Sequence, residues 1–498
     1  MKDSDALWKK AQHYQKSHNY REAAKTYLKA AQIDIKKGKK KAASTEFSCA
    51  GTCLYNIGDW DQALKYYKEA LEIDEQLGDL KGKATRLNNI GSVLRDRGDM
   101  DGALKYYKEA LRFTEQLGDL KGKSINLNNI GLILKSRGDM DGALKSYKEA
   151  LEITEQLGDL KGKGYLLNNI GLILREWGDL DGALNYYMEA LETTEQLGDM
   201  KGTSSLLNNI GLILSDRGDL NGALKYYKEA LEIDEQLGDL KGKATKLNNI
   251  GSILMDKGDL DGSLKYYKEA LEIDEQLKDL KGKATRLNNI GLILNDRGDM
   301  DGALKCYKEA LEIAEQLGDL KGKATKLNNI GLMLRDKGDK DEALKYYKEA
   351  LKIDEKLGDL KGKATRLNNI GLMLKGRGDL DRALKYYKEA LEIDEQLGDL
   401  KGKSIVLNNI GSILREWGDL DRALKYYKDA LKFTEQLGDL KGKSIVLNNI
   451  GSILRDRGDL GEALKYFKDA LEIDEQLGDT KRKSSLLDNF WDILSYRN

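Results

Sequence analysis

From position 79 onward the apolar and polar residues of this chain repeat every forty positions. The stretch Leu87-Asn88-Asn89-Ile90-Gly91 returns at 127, 167, 207, 247, 287, 327, 367, 407 and 447, ten copies in all. Leu87, Ile90, Gly91 and Leu94 stand at i, i+3, i+4 and i+7, which is one stripe of a helix. At about 100° per residue, Thr85, Asn89, Ser92 and Asp96 fall on the opposite side, with Asn88 and Arg95 on the flanks. A second helix is predicted from Met100 to Leu117, with Ala103, Tyr107, Ala110, Leu111 and Leu117 buried.

Gly-Asp pairs such as Gly98-Asp99 and Gly118-Asp119 divide each unit evenly. Glycine suits the left-handed residue just past a helix end, and aspartate caps the next helix, a contribution of about 0.5–2 kcal/mol. This punctuation replaces proline, which the chain lacks. Ala103 and Ala110 opposite Gly91 predict a close approach of the two helices, so Gly91→Leu is expected to be costly through overpacking. Gly82, between Lys81 and Lys83, costs up to about 1 kcal/mol of helix propensity and marks either a close contact or a bend.

A fixed period of this size predicts an all-α fold, an α-solenoid of stacked helix pairs in which each unit buries its apolar face on its neighbours. Twelve units of forty leave 18 of the 498 residues, hence twelve pairs and one unpaired helix. The expected divisions are 1–44, a degenerate N-terminal capping pair, 45–480, eleven repeats, and 481–498, a C-terminal capping helix. In the first pair, helices are expected from Ala6 to about His18 and from Tyr20 to about Lys37. In the last copy, Leu487-Asp488-Asn489-Phe490-Trp491, an aromatic pair replaces Ile-Gly. Phe490 and Trp491 are expected either to cover the end of the stack or to offer an adhesive surface.

The polar face suggests a binding function. Asn89, Asn129, Asn169, Asn209, Asn249, Asn289, Asn329, Asn369, Asn409 and Asn449 would form a ladder of amides, each with donor and acceptor capacity for the main chain of a bound peptide. The alternative for all these asparagines is that they tie neighbouring helices together or face water, and for Asn88, on the flank, that is the expectation. The register of Ser92 holds leucine at Leu132, Leu172, Leu212, Leu292, Leu332 and Leu372, and that of Thr85 holds Ile125, Tyr165, Ser205, Ile405 and Ile445. Apolar side chains there would make pockets between the rungs. The competing explanation is recent duplication with drift, since 401–415 and 441–455 are identical.

Composition narrows the partners. With 83 basic and 84 acidic side chains the net charge is −1, which argues against a nucleic-acid partner held through phosphates. The basic run Lys36-Lys37-Gly38-Lys39-Lys40-Lys41 falls at a helix junction and reads as a solvated turn. No apolar run approaches the roughly 18–20 residues of a membrane helix. The N-terminus resembles no signal peptide and three cysteines make no disulfide framework, so a cytoplasmic location is expected. Only two histidines occur, His13 and His18, and no metal-ligand spacing or phosphate loop is completed. No cofactor and no catalysis are expected.

The order Leu87, Asn89-Ile90-Gly91, Leu94, Gly98, Ala103, Tyr107, Ala110 resembles the tetratricopeptide repeat signature over essentially the whole chain. The forty-residue period, with Glu115 in place of the usual proline, is similar to repeats of kinesin light chains and of Partner-of-Inscuteable spindle adaptors. That resemblance implies a right-handed superhelix whose concave groove, lined by first helices, holds an extended peptide. In the O-linked N-acetylglucosamine transferases, too, asparagines at the place matching Asn89 line the groove. The heptad region, the G-protein-binding tail and the transferase domain of those families have no counterpart here, so only the adaptor groove carries over. The leading expectation is thus a scaffold or regulatory adaptor for a protein or peptide partner. Its alternative is a structural rod that self-associates, through the C-terminal cap among other surfaces.

Overall fold

The structure, a computed structural model, describes residues 4–478, 482–484 and 486–489. Among them, twenty-four α-helices follow one another. They begin with α1 (Ser4–Lys16), α2 (Tyr20–Lys36), α3 (Lys40–Asn56), α4 (Trp60–Leu77), α5 (Leu80–Asp96) and α6 (Met100–Leu117). The next are α7 (Leu120–Ser136), α8 (Met140–Leu157), α9 (Leu160–Glu176), α10 (Leu180–Leu197), α11 (Met200–Asp216), α12 (Leu220–Leu237) and α13 (Leu240–Asp256). There follow α14 (Leu260–Leu277), α15 (Leu280–Asp296), α16 (Met300–Gln316), α17 (Leu320–Asp336), α18 (Lys340–Leu357) and α19 (Leu360–Lys375). Last come α20 (Leu380–Leu397), α21 (Leu400–Glu416), α22 (Leu420–Leu437), α23 (Leu440–Arg457) and α24 (Leu460–Leu477).

The helices fall into two compact units, Met1–Lys257 and Gly258–Asn498. In the first, α1 to α12 form six hairpin pairs stacked in order, and α13 packs on α12. In the second, α14 packs on α15, and α15 to α24 form five stacked pairs. The boundary expected at 44 falls inside α3, which already starts at Lys40. Phe490 and Trp491 lie outside the described residues.

Chain punctuation follows the Gly-Asp pairs. Gly118 closes α6 at φ 63°, and Asp119 accepts the Gly122 N–H at 3.0 Å. Lys278 occupies the register of Gly118 at φ 56°, a left-handed conformation that costs a side-chain-bearing residue about 1–2 kcal/mol.

The core of each pair is an aromatic ring seated on a glycine. Leu87, Ile90, Ala103, Tyr107 and Ala110 are buried as expected, and Val93 and Phe113 join them. Gly91 faces the Tyr107 ring: a Cβ on Gly91 would stand 2.8 Å from Cε1. The same contact joins Gly171 to Tyr187, at 2.6 Å, and Gly451 to Phe467, at 2.8 Å. The small residue is therefore required by the tyrosine, not by the alanines of the facing helix. Leu117 departs from expectation and is 43% exposed. It stands one residue before Gly118, where the chain turns away, and Phe113 one turn earlier fills the interior.

Gly82 marks a close contact and not a bend. Its N–H is capped by Asp79 at 2.9 Å, and a Cβ there would run into the Asp74 carboxylate from the end of α4.

Gly171→Ala is expected to destabilise the protein by about 1–3 kcal/mol, because the added carbon meets a fully buried ring. Lys278→Gly is expected to stabilise it by about 1 kcal/mol by relieving the left-handed strain. Urea unfolding checks both, and an unchanged midpoint for Gly171→Ala would mean that the Tyr187 ring can step aside.

Candidate functional site: the face of the first helices

The stripe opposite the core carries two amides per repeat, and the structure links them. Asn169 donates from Nδ2 to Oδ1 of Asn128 in the preceding repeat at 3.2 Å, and Asn209 donates to Asn168 at 2.9 Å. Asn249 to Asn208, Asn329 to Asn288, Asn369 to Asn328, Asn409 to Asn368 and Asn449 to Asn408 repeat the bond at 2.8–2.9 Å. Asn489 extends it to Asn448 at 3.1 Å. The spacing of 41 residues is one repeat plus one position, so each rung reaches back to the flank asparagine of the previous unit. Asn89, Asn129 and Asn289 stand in the same register and are half-buried. One N–H of each linked amide is engaged in this way, while an amide has two N–H groups and an acceptor oxygen.

Leu132, Leu172, Leu212, Leu292, Leu332 and Leu372 are half-buried. Leu132, Leu172, Leu292, Leu332 and Leu372 pack against the core clusters. Their register also decides what the core tyrosine hydroxyl meets. Tyr107 donates to Ser92 at 3.1 Å, and Tyr67 and Thr52 oxygens are 3.0 Å apart. Where leucine replaces serine, the buried hydroxyls of Tyr147, Tyr187, Tyr347 and Tyr387 have no hydrogen-bond partner among the described residues. Burial pushes the Tyr187 hydroxyl up to about 12.

A second constellation lies between repeats, at the N-terminal ends of the first helices, and the sequence reading passed over it. Asp74 on α4 is 2% exposed. It accepts from Ser44 on α3 at 2.5 Å and faces Arg86 on α5, whose Nε is 3.2 Å from Oδ2. The Arg86 N–H does not point at that oxygen, so the pair is held by charge more than by a hydrogen bond. Burial raises the Asp74 carboxyl, opposed by Ser44 and Arg86. Asp234 with Lys246 at 3.0 Å, Asp274 with Arg286 at 3.1 Å and Asp354 with Arg366 at 3.2 Å repeat the arrangement. Elsewhere both members change together: Thr154 stands with Leu166, Thr194 with Leu206, and Thr434 with Val446. A twelve-residue co-variation between copies is the signal that would have found these sites.

Several interfaces break the matching, among them Ala314 with Lys326 and the two that follow. Asp34 and Glu46 set two acids together, and burial and then the Asp34 charge push Glu46 up to about 7. Asp394, 4% exposed, meets Val406 where its counterparts meet a cation. Burial, then the charge of Asp399, pushes its carboxyl up to about 6 against the pull of Lys403.

Two cavities open beside the ladder in the first unit. One, of about 180 Å³, is bounded by Lys121, Ile125, Asn128, Leu157, Tyr165 and Leu166. The next, of about 300 Å³, is bounded by Lys161, Tyr165, Asn168, Leu197, Lys201 and Leu206. The flank asparagines, not those of the Asn89 register, line both.

Among the described residues no helix is long and apolar enough to cross a membrane, and no group of three or more His, Cys, Asp or Glu could hold a metal ion. Cys49, Cys53 and Cys306 are free thiols, and burial raises all three.

Tandem helix pairs with a small residue seated under an aromatic ring at a constant period define a helical-repeat scaffold. The model of the tetratricopeptide repeat matches residues 41–116, 123–196, 166–236, 202–276, 242–316, 282–356, 363–436 and 402–476, and the chain belongs to that family. No protein of curated function matches it significantly. Among solved structures it is similar to BtubC (BKLC) from P. vanneervenii, with 21% identity, 44% of this chain and 92% of that one covered, and a TM-score of 0.41. It is also similar to the apo form of RapI, with 17% identity, 55% and 99% coverage, and a TM-score of 0.47.

The unmatched Asp394 gives a pH dependence with a defined sign. Its folded carboxyl titrates near 6, above the ordinary aspartate value of 3.8, so its contribution is intact below about pH 4 and is lost as pH rises through 6. Val406→Arg restores the cation that Arg366 supplies to Asp354. It is expected to gain at least about 1 kcal/mol more stability at pH 7.5 than at pH 4.5. Urea midpoints at the two values test this; equal shifts would mean that Asp394 does not sense position 406.

Proposed function

We propose that this protein is an interaction scaffold or adaptor that holds an extended or helical segment of a protein partner along the face of its first helices, and that it is not an enzyme. The observation that carries this reading is the ladder itself. Amides recur at one repeat spacing on the half-exposed side, while the apolar stripe of the same helices is consumed by the core. A periodic row of donors and acceptors suits the periodic main chain of an extended peptide, whatever its side chains. Membership of a family built as a protein-interaction scaffold supports the same reading. The alternative, a self-associating rod, draws on Trp491, which lies outside the described residues, and on the near-identical second helices of the repeats.

The test is affinity capture from a lysate of the source cells, comparing the native chain with the triple variant Asn169→Ala, Asn209→Ala, Asn249→Ala, both with unchanged circular dichroism. A protein retained by the native chain and lost by the variant is expected. Recovery of the same set by both would sink the ladder as a binding element. Sedimentation over a wide concentration range addresses the rod: a monomer throughout is expected.

A further inference from the structure

The two cavities of the first unit combine three features that point to one kind of occupant. The first is their walls. The cavities lie where the buried acid–base pair between repeats is replaced by Thr154 with Leu166 and by Thr194 with Leu206. A long Arg or Lys side chain therefore does not fill the space, and the interior is lined by apolar carbon. Gly164 deepens the larger cavity. A Cβ there would stand 3.7 Å from the Thr193 and Thr194 methyl groups, an ordinary contact, and Ala84 and Ala244 occupy the same register elsewhere. Nothing steric demands the glycine, so the missing methyl is space left open.

The second is Tyr165, which stands between the cavities and lines both. It is 58% exposed, and Ile125 in the preceding repeat is 46% exposed. In the same register, Thr85 and Thr245 turn their hydroxyls back onto the carbonyls of Lys81 and Lys241, at 3.0 Å each. Here two adjacent repeats place large apolar groups outward instead, as Ile405 and Ile445 also do in the second unit, and Tyr165 is the largest and most exposed of them.

The third is charge. Lys121, Lys161 and Lys201 stand at the cavity mouths, exposed, and, like Lys81, Lys241, Lys281, Lys321, Lys361 and Lys401 in the same register, none of them takes part in an ion pair among the described residues. The neighbouring lysines are committed: Lys123 to Glu115 and Glu149, and Lys163 to Glu155 and Glu189. The carboxylates nearest the mouths, Asp159 and Asp199, cap α9 and α11 through the N–H groups of Gly162 and Gly202.

We propose that the cavities on either side of Tyr165 are side-chain subsites for an extended peptide segment bearing two apolar residues flanked by aspartate or glutamate. This rests on the groove reading of the previous subsection and adds to it the location and the chemistry of the ligand. Adjacent helices pack about 8–10 Å apart and an extended chain advances about 3.3 Å per residue. The two apolar anchors are therefore about three residues apart. A cavity of about 300 Å³ is at the lower end of the range for whole small-molecule ligands and suits a single large side chain.

Fluorescein-labelled synthetic peptides provide the probe: two leucines or two tryptophans three residues apart with glutamates around them, the same peptides with lysines for the glutamates, and versions with alanine anchors. Fluorescence anisotropy with the full chain is expected to give affinity at least about tenfold higher for the acidic, apolar-anchored form than for either control. Added salt should weaken it. The variants Tyr165→Ala and Lys121→Glu, Lys161→Glu, Lys201→Glu are expected to lose about tenfold or more, and Gly164→Ala, which the register tolerates elsewhere, about twofold to fivefold. Equal affinity for the three peptide classes, or variants that bind as the native chain does, would overturn the proposal. If these variants are silent but Asn169→Ala with Asn209→Ala abolishes capture of the cellular partner, the groove reading survives and the subsites fall. If the asparagine variants are silent as well, both fall.

Discussion

The seat of Tyr107 on Gly91, and of its counterparts from Gly51 with Tyr67 to Gly451 with Phe467, is the contact on which the rest depends. A helix pair whose backbones close on a flat ring has no room for a side chain at the glycine, so the angle between its two helices is set by the thickness of that ring. Once each pair has the same internal geometry, its outer surfaces recur at a constant step. The amides of the polar face can then meet across repeats at 2.8–3.2 Å over and over. The ladder is a consequence of regularity in the core, and an irregular core would leave its rungs out of reach of one another.

The helix stops, the buried stripe and the outward amides were all legible in the sequence, because each depends on local chemistry repeated many times. A Gly-Asp pair dictates a left-handed exit and a capped entry without reference to anything distant, and α6 spans Met100–Leu117 as the spacing predicts. What could not be read depended on the neighbouring pair. Periodicity placed Leu117 on the apolar stripe, but it could not tell that Phe113 one turn earlier fills the interior and leaves Leu117 43% exposed. Nor could it distinguish a close contact from a bend at Gly82, since the Asp74 carboxylate that resolves the question comes from the previous helix. That asparagines tie neighbouring helices was an open alternative, but the pairing of Asn169 with Asn128 and of Asn209 with Asn168 could not be read, since the partners are 41 residues apart and meet only through the stacking.

The interfaces between repeats use two chemistries at one position. Asp74 with Arg86 buries opposite charges beside Ser44, and Thr194 with Leu206 buries none. Replacing a buried ion pair by apolar groups of similar volume is often neutral, whereas removing one partner leaves an uncompensated charge. Changes at these sites are therefore tolerated in pairs, and the copies show mostly paired changes. The exceptions mark local weakness: Asp394 faces Val406, and Lys326, whose counterpart on the previous helix is Ala314, has its ammonium group pulled down by burial.

This choice also determines where the polar face can be more than a flat row of amides. A cation extended into the interface reaches the buried carboxylate of the previous helix, as Arg86 reaches Asp74. Leucine with threonine leaves space there, and the glycine at 164 widens it. The two neutral interfaces that follow one another in α7 to α11 consequently hold the two cavities, at the expense of the packing that an arginine would have supplied. On the proposed reading, repetition would offer the same main-chain contacts in every unit, and a departure from the repeat would give one part of the face a preference.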